Sequence, residues 1–282
     1  MKKYGLVMEG GGMRGLFTAG VLDVLMEKGI VFDGAIGVSA GACFGCNIKS
    51  VQPGRAIRYN KRFARDPRYS GFRSLVKTGD IFGAEFAYHV LPFELDLMDI
   101  ETYRSNPMEF WLVATDLQTG EPVYHRIDDL NYDDLEWMRA SASMPGVSRI
   151  VSVGGRDMLD GGMTDSIPLR FFETEGYLRN VVILTQPSDY VKKPNNMMPV
   201  IRRALKDYPK GIEAMEKRHI AYNKQVRYAH HAEEKGRALI IQPETALGIR
   251  HLEHNPDEMQ RVYDLGREAA EKKMDELRAF MS

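Results

Sequence analysis

The sequence predicts an α/β fold of three layers, α/β/α, with a mainly parallel central sheet and added C-terminal helices. Three observations carry this. Twice near the start, a short apolar run ends in a glycine-containing turn and gives way to a helical pattern: residues 4–8 (YGLVM) before Gly10-Gly11-Gly12, and residues 35–38 (AIGV) before Ser39-Ala40-Gly41. Further apolar runs then alternate with helical patterns, as in a sheet covered on both faces. The 282 residues, 44% apolar and 27% charged, can bury the core such a fold needs.

After the first strand, Leu16, Val21, Leu22, Val24 and Leu25 mark a helix that Gly29 stops. Residues 35–38 form the second strand, followed by a second helix. Arg55, Arg58, Lys61, Arg62 and Arg65 recur at helical spacing. Four more strands are expected at 110–114, 123–125, 181–185 and 239–241, with helices around 130–141 and 166–176. Residues 187–199 predict a loop, and two long charged helices, 199–235 and 256–280, should pack on the core. One domain over 1–282 is expected, with a catalytic core of about 4–190 and a mainly helical portion of about 191–282.

No run approaches the ~18 apolar residues of a membrane span, and the basic start Met1-Lys2-Lys3 meets Glu9 too soon to make a secretory signal. Two cysteines, three residues apart, are no disulfide framework, so a cytoplasmic location is the expectation. The formal charge of −1 hides a segregation. Residues 54–77 hold eight basic residues and one acidic, whereas 94–136 hold twelve acidic and two basic.

Three glycine motifs carry chemistry. Glu9-Gly10-Gly11-Gly12-Met13-Arg14-Gly15 satisfies G-x-G-x-x-G between strand and helix, where a helix N-terminus can receive an anion. Alone it supports a nucleotide-binding, Rossmann-like module at Gly10 to Gly15. The acidic partner of that motif should end the second strand, yet Asp33 stands at its beginning. No Gly-Lys-Ser or Gly-Lys-Thr follows, which weakens a P-loop. Gly37-Val38-Ser39-Ala40-Gly41 is a G-x-S-x-G at a strand-to-helix turn, the setting of a nucleophile elbow. Asp160-Gly161-Gly162 alone reads as a turn. Together the three supply a nucleophile, amides for an oxyanion and a carboxylate base, the parts of an acyl transferase or hydrolase.

In the order and separation of these blocks the chain resembles the patatin-like phospholipases, serine and aspartate dyad acyl hydrolases. Residues 140–145 (ASASMP) resemble a further family block, and the likeness runs over 4–185. It implies that Ser39 is the nucleophile and Asp160 the proton acceptor, with the oxyanion held by Gly10, Gly11, Gly12, Met13 and Arg14. Gly15, Gly37, Gly41, Gly161 and Gly162 complete the motifs. The implied substrate is a lipid or other acyl ester, with no metal or cofactor. Glu9 replaces the family's usual Asp, and Ser166 stands where many members carry Asn. An aspartate near pKa 3.9 is a weak base for a serine hydroxyl, a deficit that burial reduces.

Other features have simpler readings. Cys43 and Cys46 lie inside a helix as small packing residues, with no companion pair for zinc. His219, His230, His231, His251 and His254 follow Asp160 but read as surface or packing residues, because only one strand and helix unit precedes Ser39. The sixteen methionines, Met138, Met144, Met158, Met163, Met197 and Met198 among them, read chiefly as core, with an adaptable lining for acyl chains as the alternative. The basic segment 54–77 is a solvated face partly paired with the acidic segment, or a peripheral contact for anionic membrane. No nucleic-acid partner is expected.

Overall fold

In the computed structural model, residues 3–282 are described; Met1 and Lys2 of the basic start lie outside them. The elements are β1 (Tyr4–Met8), α1 (Gly15–Glu27), β2 (Gly34–Val38), α2 (Ala40–Lys49), α3 (Arg55–Phe63) and α4 (Phe72–Thr78). A wide π-type helix over Glu85–Leu95 precedes α5 (Ile100–Ser105), β3 (Glu109–Asp116), β4 (Glu121–Arg126) and α6 (Tyr132–Ala142). Then come β5 (Val151–Val153), β6 (Arg156–Asp160), α7 (Leu169–Thr174), β7 (Arg179–Ile183), α8 (Met198–Ala204), α9 (Pro209–Glu234), β8 (Ala238–Ile241), α10 (Pro256–Lys272) and α11 (Met274–Phe280).

The strands form one eight-stranded sheet in the order β5-β6-β3-β2-β1-β7-β8, with β4 also on β3. β1 runs parallel to β2 and β7, β2 to β3, and β7 to β8; β4, β5 and β6 join antiparallel. Side chains alternate between faces along each strand. Leu6, Met8, Ala35 and Ile183 share a core with α1, α2, α6 and α10, while Val7, Ile36, Val38 and Val182 share one with α7 and α9. The three layers of the expected fold follow from this period of two.

Three local expectations change. The helix expected over 199–235 is two helices, because Pro209 has no N–H to continue a helix and instead starts α9. The 256–280 helix likewise breaks at Lys273. The β5–β6 hairpin is additional to the expected strands; it turns on Gly154 and Gly155, whose φ values of 59° and 72° suit glycine.

The C-terminal helices pack on the core as expected. A Cβ on Gly20 would meet the Tyr263 carbonyl at 2.0 Å, so α1 and α10 touch backbone to backbone. The Tyr263 hydroxyl donates to Asp23 Oδ2 at 2.5 Å. In the basic segment, Arg55 and Arg58 both turn to Asp96, at 3.3 and 2.8 Å, and Arg62 donates to the Leu95 carbonyl. Asp96 belongs to the acidic segment, so part of the charge segregation is neutralised internally. On α4, by contrast, Phe72, Arg73, Val76 and Lys77 all face solvent.

Candidate active site

Strand register places the three motifs together. Met8 is opposite Gly37, so the glycine loop after β1 and the turn after β2 emerge side by side at the same end of the sheet. β3 is longer than β2. Its Val113 is opposite Val38, and the next residue, Ala114, is opposite Asp160 of β6. β6 therefore continues the line of β2 along one edge of β3, which sets Asp160 beside Ser39.

Ser39 has φ 55° and ψ −123°, a backbone conformation rarely adopted by a side-chain-bearing residue. The tight turn requires small neighbours: a Cβ on Gly37 would lie 2.4 Å from the Gly41 carbonyl oxygen, and one on Gly41 2.5 Å from that of Met8. The Ser39 amide donates to Ser141 Oγ at 3.0 Å, and the Asp160 amide donates to the Ser143 carbonyl at 2.9 Å. The 140–145 block thus holds both turns, a role that its likeness to a family block marked without explaining.

Asp160 is buried, and burial raises its pKa; the nearby Arg218 guanidinium, the neighbouring Ser39 side chain and the Gly162 amide, which donates at 2.7 Å, partly offset this. A buried carboxylate is better matched to proton transfer than an exposed one. Gly161 opens the short turn after β6, and Gly162 donates to Asp160.

In the glycine loop, Met13 N–H donates to the His251 carbonyl at 3.3 Å and Arg14 N–H to the Gly11 carbonyl at 3.2 Å. Among the described residues, the amides of Gly10, Gly11 and Gly12 have no intramolecular acceptor. A Cβ on Gly10 would lie 2.9 Å from the Ser39 Cβ, so this loop presses on the serine. Gly15 begins α1 behind it. Glu9 turns away from the serine: its carboxylate accepts from the Thr185 amide at 2.6 Å and the Tyr222 hydroxyl at 2.7 Å, tying the loop to α9.

Two cavities meet at Ser39, and Gly12, Ser39 and Met144 line both. One, of about 110 Å³, is apolar and runs past Cys43, Phe44, Tyr88, Leu91 and Met138. Four residues that the sequence left as packing are thereby placed: burial pushes the Cys43 and Cys46 thiols up to about 11 and 12, so neither is a ready thiolate, and Met138 and Met144 line the cavity. The other, of about 460 Å³, is the more polar of the two and gathers Arg14, Lys192, Arg218, His219 and His251, with Glu9 and Asp160. Burial and the neighbouring Arg218 and Arg14 cations push Lys192 down to about 8, against the pull of Glu9. Desolvation on its cavity side, then Arg14, Arg218 and Lys192, push His251 down to about 4, although another part of the residue faces solvent.

His219 and His251 thus wall the site rather than pack elsewhere. His251 Nε2 lies 3.4 Å from an Arg14 guanidinium nitrogen, and Ser39 has no histidine partner among the described residues. Lys192 and Arg218 carry no sequence signal, since no spacing links them to Ser39, and His251 reads in sequence only as a surface or packing residue. Asp33 accepts from the Tyr4 amide at 2.7 Å, at the far end of β1 from the glycine loop, where it has no access to a nucleotide ribose there.

Comparison with known proteins shows the family. Residues 6–172 match the model of the patatin-like phospholipases, and 208–282 match a domain of unknown function, DUF6363. The chain is 32% identical over 200 residues to the uncharacterized protein YjjU of Escherichia coli, covering 68% of this chain and 54% of that one. It is 30% identical over 184 residues to the lysophospholipase NTE1 of Debaryomyces hansenii, covering 62% of this chain and 11% of that one. The chain thus spans about half of the first relative and a small part of the second. Over 98% of its length it also superposes on VipD of Legionella pneumophila, at 13% identity and a TM-score of 0.46. This chain belongs to the patatin-like phospholipase family.

Proposed function

We propose that residues 1–282 act as one catalytic unit, a serine hydrolase of fatty-acyl esters of lipids. Asp160 accepts the Ser39 proton as the hydroxyl attacks the ester carbonyl; the amides of Gly10, Gly11 and Gly12 hold the oxyanion; the alcohol leaves, and water releases the fatty acid from the acyl-enzyme. The observation that supports this reading is that a strained serine, a buried aspartate and a glycine loop with unpartnered amides line one cavity. No cofactor enters the scheme. Family membership disfavours a nucleotide-binding module, and so does the position of Asp33.

The apolar cavity takes the acyl chain. With p-nitrophenyl esters, kcat/KM rises about fourfold per added methylene until the cavity is full, as ~0.8 kcal/mol per buried CH2 requires. Cys43→Phe moves the optimum to shorter chains, because Cys43 lines the cavity one turn beyond Ser39. A flat chain-length profile contradicts this placement. A single apolar cavity opening at Ser39, among the described residues, favours single-chain substrates, in keeping with the name of the yeast relative.

Tyr69 and Phe82, at either end of the α4 excursion, line the same cavity, so exposed Phe72, Arg73, Val76 and Lys77 stand near its outer wall. No described helix is long and apolar enough to cross a membrane. We assign α4 to peripheral contact with anionic lipid. Vesicle sedimentation should show binding that increases with anionic lipid, weakens with salt and falls in Phe72→Asp/Val76→Asp. Binding indifferent to all three excludes that contact.

A further inference from the structure

The polar chamber contains more cationic charge than the hydrolytic scheme uses. Arg14, Lys192 and Arg218 converge in it, and among the described residues none makes a salt bridge, although two carboxylates, Asp160 near Arg218 and Glu9 near Lys192, offset part of the charge. Their contacts are the His251 ring, the Gly162 carbonyl at 2.5 Å and the face of Tyr222, whose centroid is 4.3 Å from Lys192 Nζ. Arg14 Nε is buried without a hydrogen-bond partner, and so is His219 Nδ1. Half-buried like charges and buried, unpartnered nitrogens in one cavity are costly unless an anion completes them.

The chamber shares Ser39 with the acyl cavity, so an ester whose acyl chain fills that cavity extends its alcohol portion into the chamber. Its walls also reject a cationic group. The aromatic faces that can take up a quaternary ammonium, Tyr222 and Tyr190, are already covered by Lys192, at 4.3 and 5.6 Å. A choline or ethanolamine group there meets three cations.

We propose that this chamber is a headgroup pocket for a phosphate group bearing no ammonium, so that the favoured substrate is an anionic lysophospholipid whose phosphate lies between Arg14, Lys192 and Arg218. This rests on the hydrolase reading. It also gives the C-terminal segment a function, because Arg218, Tyr222 and His251 all come from the region that matches the domain of unknown function. The segment closes the headgroup side of a site whose reacting groups lie in the patatin-like part.

Isothermal titration of the wild-type protein with glycerol 3-phosphate, glycerophosphocholine and inorganic phosphate tests the pocket without turnover. Glycerol 3-phosphate should bind at least about tenfold more tightly than the other two, and Lys192→Met and Arg218→Met should each weaken it about ten- to hundredfold. Lys192→Arg, which keeps the charge, retains binding. With 1-acyl lipids of equal chain length, the kcat/KM ratio of glycerol 3-phosphate to glycerophosphocholine headgroups should fall toward one in Lys192→Met. Equal affinity for the two headgroups, absence of binding, or variants that bind as wild type overturns the proposal. Inorganic phosphate binding as tightly as glycerol 3-phosphate also overturns it, because the site is then one for free phosphate. Ester turnover at Ser39 decides the hydrolase reading separately, since glycerol 3-phosphate binding needs no acyl chemistry.

Discussion

Ser39→Ala and Asp160→Asn each lower p-nitrophenyl butyrate hydrolysis by about a thousandfold or more while the protein stays folded, and the two substitutions combined cost little more than either alone. Non-additivity is expected because the serine is inert without a base and the base serves no other group. The stability effects are opposite in sign to those of ordinary core substitutions. Burial raises the Asp160 pKa above that of the unfolded chain. The ionised carboxylate therefore costs stability in the native state: the contribution of this group is full below the unfolded pKa and is lost as pH rises through the folded one. At neutral pH Asp160→Asn should raise the melting midpoint, since asparagine keeps an acceptor for the Gly162 amide without the charge. Ser39→Gly should be more stable than Ser39→Ala, because glycine relieves a conformation that costs other residues about 1–3 kcal/mol.

The same shift fixes a pH profile. Hydrolysis needs ionised Asp160, so kcat/KM falls as pH drops through its raised pKa, higher than an ordinary aspartate would give. The Arg218 guanidinium opposes that rise, and Arg218→Met should move the acid limb to still higher pH. A limb at the ordinary aspartate position, unmoved by Arg218→Met, contradicts the assignment of Asp160 as base.

Gly10→Ala should lower kcat by about a hundred- to a thousandfold with a smaller change in KM. Its new Cβ would lie 2.8 Å from the Val38 carbonyl oxygen and 2.9 Å from the Ser39 Cβ. Neither can withdraw without distorting the turn, so the loop shifts and its amides lose their aim at the developing oxyanion. Removing one oxyanion donor in other hydrolases has an effect of this size. Steady-state kinetics on a soluble ester separates the cases: a rise in KM alone would place the loop in binding rather than in transition-state stabilisation.

The elbow was legible because its cause is local. Gly37 and Gly41 leave room for a turn that five consecutive residues define, and the flanking strand and helix declare themselves by apolar spacing. Asp160 was legible only through its motif, since an aspartate before two glycines is ordinarily a turn; its value comes from β3 extending past β2 and pairing with β6. The β5–β6 hairpin carried a usable signal in Gly154-Gly155 between two short extended runs. Pro209 likewise marked the break between α8 and α9. The headgroup chamber carried none. Lys192 and Arg218 reach the site through the β1–β7 pairing and the docking of α9, contacts made across more than 170 residues of chain. The basic segment misled in part, because a count of charges cannot reveal that Arg55 and Arg58 turn inward to Asp96.

Everything in the hydrolytic scheme depends on Ser39 being an activated nucleophile, and a fluorophosphonate added to the folded protein, followed by peptide mass spectrometry, reads that property at the residue itself. One adduct is expected, on Ser39, forming much more slowly in Asp160→Asn and not at all in Ser39→Ala. An unlabelled wild-type protein that remains folded, or an adduct on another residue that persists in Ser39→Ala, would contradict the assignment.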